Sequence, residues 1–162
     1  MKKYLFLYAL FSLLMACCSK TNIDPVHINK FTCKVNGAFW EAVPLQRDIL
    51  GNDLQINKLP FSDIFTIHAR NVKKDQSIGI DFSVNDSVKT STIQGAIPFT
   101  DYTRNCQVYY MDTLSNHKVV ITEQDKIKKI IKGTFSFRAI NRDSGCVDIA
   151  TVTEGFFDIQ YQ

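Results

Sequence analysis

The sequence predicts an all-β protein of one domain: an antiparallel sheet of about eight to ten strands, closed as a barrel or stacked as a sandwich. Three observations lead there. From Cys17 onward the chain holds 17 Ile, 11 Val and 12 Thr against 5 Leu and 6 Ala, and such a surplus of β-branched residues favours pleated strands. Apolar and polar side chains alternate with period two in several segments bounded by turn residues, the mark of strands with one dry and one wet face. Setting aside residues 1-16 leaves 162 − 16 = 146 residues, enough for one core that buries roughly 68–70% of the unfolded surface.

Residues 1-16 read as a lipoprotein signal peptide. Lys2 and Lys3 precede Tyr4 to Ala16, a 13-residue apolar stretch. A bilayer core of about 30 Å needs about 20 helical residues, so this stretch is too short to span it. It ends in Leu14-Met15-Ala16-Cys17, which resembles the bacterial lipobox. That motif has an apolar residue three before, and a small residue just before, the Cys that is acylated and becomes the new N-terminus. Taking Cys18 as the acceptor would put Met15 and Cys17 in those places, a poorer fit. Two or three acyl chains on Cys17 suffice for stable anchoring. The mature protein is therefore expected in the cell envelope, lipid-anchored, on the outer membrane, with the membrane as partner through its acyl chains. Residues 17-28 form a tether, with Pro25 and no periodicity, and the β domain follows over 29-162.

Within the domain, Asn36-Gly37 between Phe31 to Val35 and Phe39 to Val43 predicts a type I′ hairpin. In Asp63 to Asn71, Phe65, Ile67 and Ala69 share a face opposite Thr66, His68 and Arg70. Ser77 to Val84 places Ile78, Ile80, Phe82 and Val84 together. Glu123-Gln124-Asp125 is expected to turn Lys118 to Thr122 back into a strand that begins near Lys126, although Ile127, Ile130 and Ile131 also fit a helical turn. In Lys132 to Ala139, Gly133, Phe135, Phe137 and Ala139 oppose Thr134, Ser136 and Arg138. Glu154-Gly155 is expected to separate two last strands, Val147 to Thr153 and Phe156 to Tyr161.

The lipobox, the tether, the early Asn36-Gly37-Ala38-Phe39-Trp40, the late Gly133 to Ala139 (GTFSFRA) and the closing Thr153 to Ile159 (TEGFFDI) occur in that order. Together they resemble the small lipoproteins of unassigned function common in Bacteroidota-type bacteria. The resemblance implies a β-rich envelope lipoprotein and brings no catalytic residues with it. A more distant likeness is to lipocalin barrels, whose first strand carries Gly-x-Trp; here Gly37 and Trp40 stand one residue further apart.

Little in the chain points to a reaction. Without Lys2 and Lys3, 17 basic side chains face 16 acidic ones, so the net charge of +1 gives no basis for binding nucleic acid. His27, His68 and His117 are scattered with no H-x-H or H-E-x-x-H spacing, and no Cys-x-x-Cys pair occurs. No metal or cofactor is expected. Phosphate-loop, calcium-loop and nucleophile-elbow motifs are missing from the sequence. Cys33 alternates with Phe31 and Val35 and should face the core, whereas Cys106 and Cys146 either form a disulfide or stay as free thiols. Lys126, Lys128, Lys129 and Lys132 form one dense basic run, read either as attraction to anionic lipid or glycan or as a solvated, lysine-guarded edge. Asp86-Ser87-Val88 and Asp112-Thr113-Leu114 match an Asp-Ser/Thr-apolar pattern of envelope O-glycosylation. Trp40, Tyr109 and Tyr110 are the candidate contacts for a small apolar or glycan ligand, or else fill the core, and on a strand the adjacent Tyr109 and Tyr110 point to opposite faces. The expected function is non-catalytic binding by a monomer; the alternatives are a structural or adhesive protein with a filled core, or an envelope hydrolase.

Overall fold

The period-two alternation turns into strands almost wherever it occurs. A computed structural model describes residues 27–43, 54–59, 62–84, 90–95, 97–142 and 148–161, and these contain eleven strands and no helix. They are β1 (Lys30–Val35), β2 (Ala38–Glu41), β3 (Leu54–Lys58), β4 (Ile64–Asn71), β5 (Gln76–Ser83), β6 (Thr90–Thr92), β7 (Phe99–Asp101), β8 (Val108–Met111), β9 (Lys118–Asp125), β10 (Ile130–Asn141) and β11 (Ile149–Gln160). All are antiparallel neighbours in one sheet of order β2-β1-β11-β10-β8-β7-β5-β4-β3, with β9 on β10 and β6 on β9. The sheet is curled into a half-barrel.

Eleven strands fill nine positions. β9 lies along Ile130 to Ser136 of β10 and β8 along Ala139 to Asn141, so the two act as one broken strand. β6 pairs with β9 and β7 with β8, so they form a second broken strand beside the first. The edges of the curl touch where the Val43 N–H donates to Arg70 O (3.0 Å) and the Val72 N–H to Val43 O (3.4 Å). The Asn71 amide reinforces the contact by donating to Glu41 O at 2.8 Å.

The buried parity is the one the alternation predicts. Phe65, Ile67 and Ala69, then Ile78, Ile80, Phe82 and Val84, and Phe135, Phe137 and Ala139 all belong to the core. Inside the curl, aromatic rings meet in a continuous seam: Trp40 on Phe31, Phe31 on Phe135, Phe135 on Phe157, Phe157 on Phe82, Phe82 on Phe65 and Phe65 on Tyr161, with centroids 4.8 to 6.4 Å apart. The seam joins β2, β1, β10 and β11 to β5 and β4 across the interior. Ring-to-ring contacts thus bridge the two halves of the sheet within a larger aliphatic core, adding about 0.5–1.5 kcal/mol per pair beyond burial.

The predicted hairpin is present. Val35 pairs with Ala38, and Asn36 and Gly37 both have positive φ (49° and 80°), the backbone that a type I′ turn demands. Two other turns differ from expectation. The strand before β10 runs on through Asp125, and the reversal falls on Lys126 to Lys129, because Asp125 Oδ1 accepts the Ile127 and Lys128 N–H groups (2.9 and 2.8 Å) and Lys129 takes φ 55°. Glu154-Gly155 does not separate two strands. It is a β-bulge inside the twelve-residue β11, where the register on both β10 and β1 slips by one residue. Glu154 has φ 51°, and a Cβ on Gly155 would lie 2.5 Å from Phe135 O. The dipeptide that resembles a turn is the one that lets a long strand coil around the core.

Candidate functional site

The connections gather at two ends of the curl. At one end, here the base, are residues 27–29, the β3–β4 and β9–β10 turns and Tyr161. At the other, the mouth, are the β1–β2, β4–β5 and β7–β8 connections and the start of β11. A concavity of about 230 Å³ opens at the mouth, between Asn36, Lys74, Gln76, Asp101, Arg104 and Tyr109.

Its polar groups form one network. Asp101 is buried at the end of β7. Asp101 Oδ1 accepts the Thr103 N–H (3.1 Å) and hydroxyl (2.6 Å), an Asx turn that starts the loop. Its Oδ2 accepts Gln76 Nε2 from the neighbouring strand at 3.0 Å and lies 3.4 Å from Arg104 Nε. Arg104 reaches on to Asp148 through Nη1. The Tyr109 hydroxyl also donates to Asp148 Oδ2, at 2.9 Å. Burial, and then this hydrogen bond to a carboxylate, push the Tyr109 pKa up to about 12, so the phenol stays a donor at neutral pH. Lys74 donates through Nζ to Phe39 O and holds its own turn through its N–H to Asn71 Oδ1 (2.9 Å). Within this network the Asp101 and Asp148 carboxylates are offset by the Arg104 guanidinium and the Lys74 ammonium. At its rim Tyr102 is exposed, with the Arg70 guanidinium 5.8 Å from the ring centroid.

A second concavity, about 310 Å³, runs over the outer face above the β11 bulge, between Lys118, Val120, Thr134, Ser136, Glu154 and Phe156. It lies where the bulge at Glu154 and Gly155 breaks the regular surface of β11. Lys118 and Glu154 line it together with the Thr134 and Ser136 hydroxyls and the half-buried Phe156 ring, and no network of charged hydrogen bonds like that of the mouth joins them among the described residues.

The three aromatic candidates are not brought together. Tyr109 is at the mouth. Trp40 is fully buried, edge-on to Phe31 at 5.9 Å and paired across the hairpin with Cys33, and its indole N–H has no hydrogen-bond partner among the described residues. Tyr110 points to the other face of β8, half-buried beside Ile140. Cys33 is buried and free, its pKa pushed up to about 12 by that burial against the opposing pull of Lys74. Cys106 is disulfide-bonded; Cys146, like Cys17 and Ser87, lies outside the described residues. Thr113 is exposed in the turn that Asp112 organises by accepting the Leu114 N–H at 3.2 Å. His68 is exposed, His117 Nδ1 lies 2.8 Å from Ser115 O, and His27 Nε2 lies 3.0 Å from Asp158 Oδ1. Among the described residues no three His, Cys, Asp or Glu side chains are grouped to hold a metal ion.

Sequence reasoning missed Asp101, Arg104, Asp148 and Gln76. They come from three separate connections and share no spacing, so the only local signal is the Asp101-to-Thr103 turn chemistry. Set against family models, curated proteins and solved structures, the chain matches none of them.

Proposed function

We propose that this is a lipid-anchored protein of the bacterial cell envelope, held on the outer membrane through Cys17, that binds a small hydroxyl-rich ligand of the glycan class at the mouth without transforming it. The observation that carries the binding half is the mouth network of Asp101, Gln76, Arg104, Tyr109 and Asp148 around one concavity. Saccharide hydroxyls both donate and accept, and fixed planar carboxylate, guanidinium and amide groups meet them in pairs. An exposed ring such as Tyr102 offers a stacking face for the C–H side of a sugar. Binding is favoured over hydrolysis because both carboxylates are already engaged by Thr103, Gln76, Arg104, Tyr109 and the Ile149 N–H (2.9 Å). An internal apolar ligand is disfavoured by the aromatic seam, which occupies the inside of the curl. The anchoring half rests on the lipobox and on the short apolar leader.

The same filled interior favours one second reading, a structural or adhesive envelope protein. Titration with maltose, cellobiose and diacetylchitobiose, followed by amide chemical shifts, separates the two. Shifts confined to the mouth and lost in Arg104→Ala support binding. No shift with any of the three, or shifts that survive Arg104→Ala, would leave the structural reading.

A further inference from the structure

The base carries an arrangement that neither the mouth nor the core uses. Ile127 is 95% exposed at the tip of the β9–β10 turn, and Ile28 is 85% exposed where the described chain begins. Isoleucine side chains this bare would gain free energy by leaving water for an apolar environment. The two belong to one end of the molecule: Gln160 joins their segments, its N–H donating to Asn29 Oδ1 (2.8 Å) and its side-chain amide to Lys128 O (3.1 Å). The Tyr161 N–H donates to Lys129 O at 2.8 Å. This makes the turn a rigid extension of β10 and β11.

Lysines surround the bare isoleucines. Lys126, Lys128 and Lys129 flank Ile127 directly and are exposed, and Lys30 stands on the adjacent strand. Lys30, Lys126, Lys128, Lys129 and Lys132 outnumber the nearby acids Glu123, Asp125 and Asp158, of which Glu123 lies 3.1 Å and Asp158 3.6 Å from Lys132 Nζ. The base therefore carries net positive charge around a small apolar tip. Cationic ammonium groups on flexible stems, with apolar side chains projecting between them, fit the interface of an anionic bilayer: lysines meet phosphates while isoleucines enter the acyl boundary.

We infer that the base of the half-barrel docks on an anionic membrane surface through Ile127, Ile28 and the lysines around them, so that the mouth faces away from the lipid. The inference deepens the anchoring reading above and rests on it for the side from which the chain is tethered. Residues 1-26 connect to the fold at His27, at this same end, so an acyl group on Cys17 would tether the molecule from the base.

The test uses the full chain, prepared as wild type and as Cys17→Ala, with vesicles of phosphatidylcholine and phosphatidylglycerol in which some acyl chains are brominated. Trp40 is the sole tryptophan and is buried, so a second tryptophan can report position. Ile127→Trp at the base and Lys73→Trp in the exposed β4–β5 turn at the mouth are compared by quenching. Ile127→Trp should be quenched several-fold more than Lys73→Trp, and the difference should shrink in high salt or when Lys128→Glu and Lys129→Glu are added. Vesicle-bound protein whose two positions are quenched equally would overturn the docking face and leave the anchor standing. Preferential quenching at position 127 with equal vesicle association of wild type and Cys17→Ala would keep the docking face and overturn the anchor. A wild-type chain that stays in solution overturns both.

Discussion

Single residues divide sharply by parity on β10. Phe135 and Phe137 are core residues, whereas Ser136 between them lies on the outer face. Phe135→Ala and Phe137→Ala should each cost about 3–5 kcal/mol of stability, and Ser136→Ala under about 1 kcal/mol. Urea denaturation of the three variants checks this, and comparable losses at all three positions would mean the register is wrong. The two perturbed groups give a second expectation. Cys33 and Tyr109 are neutral when protonated, and their pKa values rise from 9.0 and 10.0 to about 12 in the fold. A raised folded pKa favours the native state below the unfolded value, and that contribution is lost as the pH climbs through the folded one. Stability should therefore hold up to about pH 9 and fall toward pH 12. Tyr109→Phe should be less stable at neutral pH by about 1.5–3 kcal/mol for the lost bond to Asp148, but should show a shallower alkaline decline. An identical decline in both proteins would rule out Tyr109 as a contributor.

Among the elements, those whose pattern is local were legible in the sequence. The Asn36-Gly37 hairpin and the strands around Ile67, Ile80 and Phe137 follow from turn chemistry and alternation alone. The β9–β10 turn was misplaced because the feature that sets it is a side chain, Asp125, capping two backbone N–H groups downstream. β6 and β7 escaped notice because three-residue strands are too short to show a period. Glu154-Gly155 was misread for a more instructive reason. A turn and a bulge both want a left-handed residue beside a glycine, and only the neighbours on β1 and β10 decide between them. Gly155 is needed because Phe135 crosses it: an added Cβ would meet the Phe135 oxygen at 2.5 Å and its ring at 2.6 Å. The obstacle is partly backbone, so it cannot swing aside. Gly155→Ala should destabilise by about 1–3 kcal/mol through overpacking, and it should also perturb the outer groove. A neutral result would show that β11 re-registers without its bulge.

For the whole molecule the mouth is assembled from connections far apart in sequence, and its rigidity depends on what ties them together. The mouth was illegible for that reason: Asp101 and Asp148 become neighbours only when β7, β8, β10 and β11 lie side by side. Arg104 bridges these two carboxylates, the Asn141 N–H donates to Asp148 O at 2.9 Å, and Tyr109 pairs with Asn141. Cys106 stands two residues beyond Arg104 and is disulfide-bonded, while Cys33 is free. Of the remaining cysteines, Cys146 is two residues from Asp148, whereas Cys17 and Cys18 lie more than eighty residues away in sequence, at the proposed anchor. A disulfide needs Cα atoms about 4.4–6.8 Å apart, and the Arg104–Asp148 contact brings the flanks of Cys106 and Cys146 to one place. The expected partner of Cys106 is therefore Cys146. That bond closes a loop of about forty residues, for which the chain-entropy relation gives roughly 3.9 kcal/mol of stabilisation. Peptide mapping of the unreduced protein should recover the two cysteines in one cross-linked fragment, and reduction should lower the melting temperature clearly. A Cys106–Cys146 bond would clamp the β7–β8 connection to the β10–β11 connection, so reduction should also loosen the mouth more than the base, seen as faster amide exchange around Arg104 than around Lys128. Mapping that joined Cys106 to Cys18 instead would tie the mouth to the tether and would contradict an outward-facing mouth.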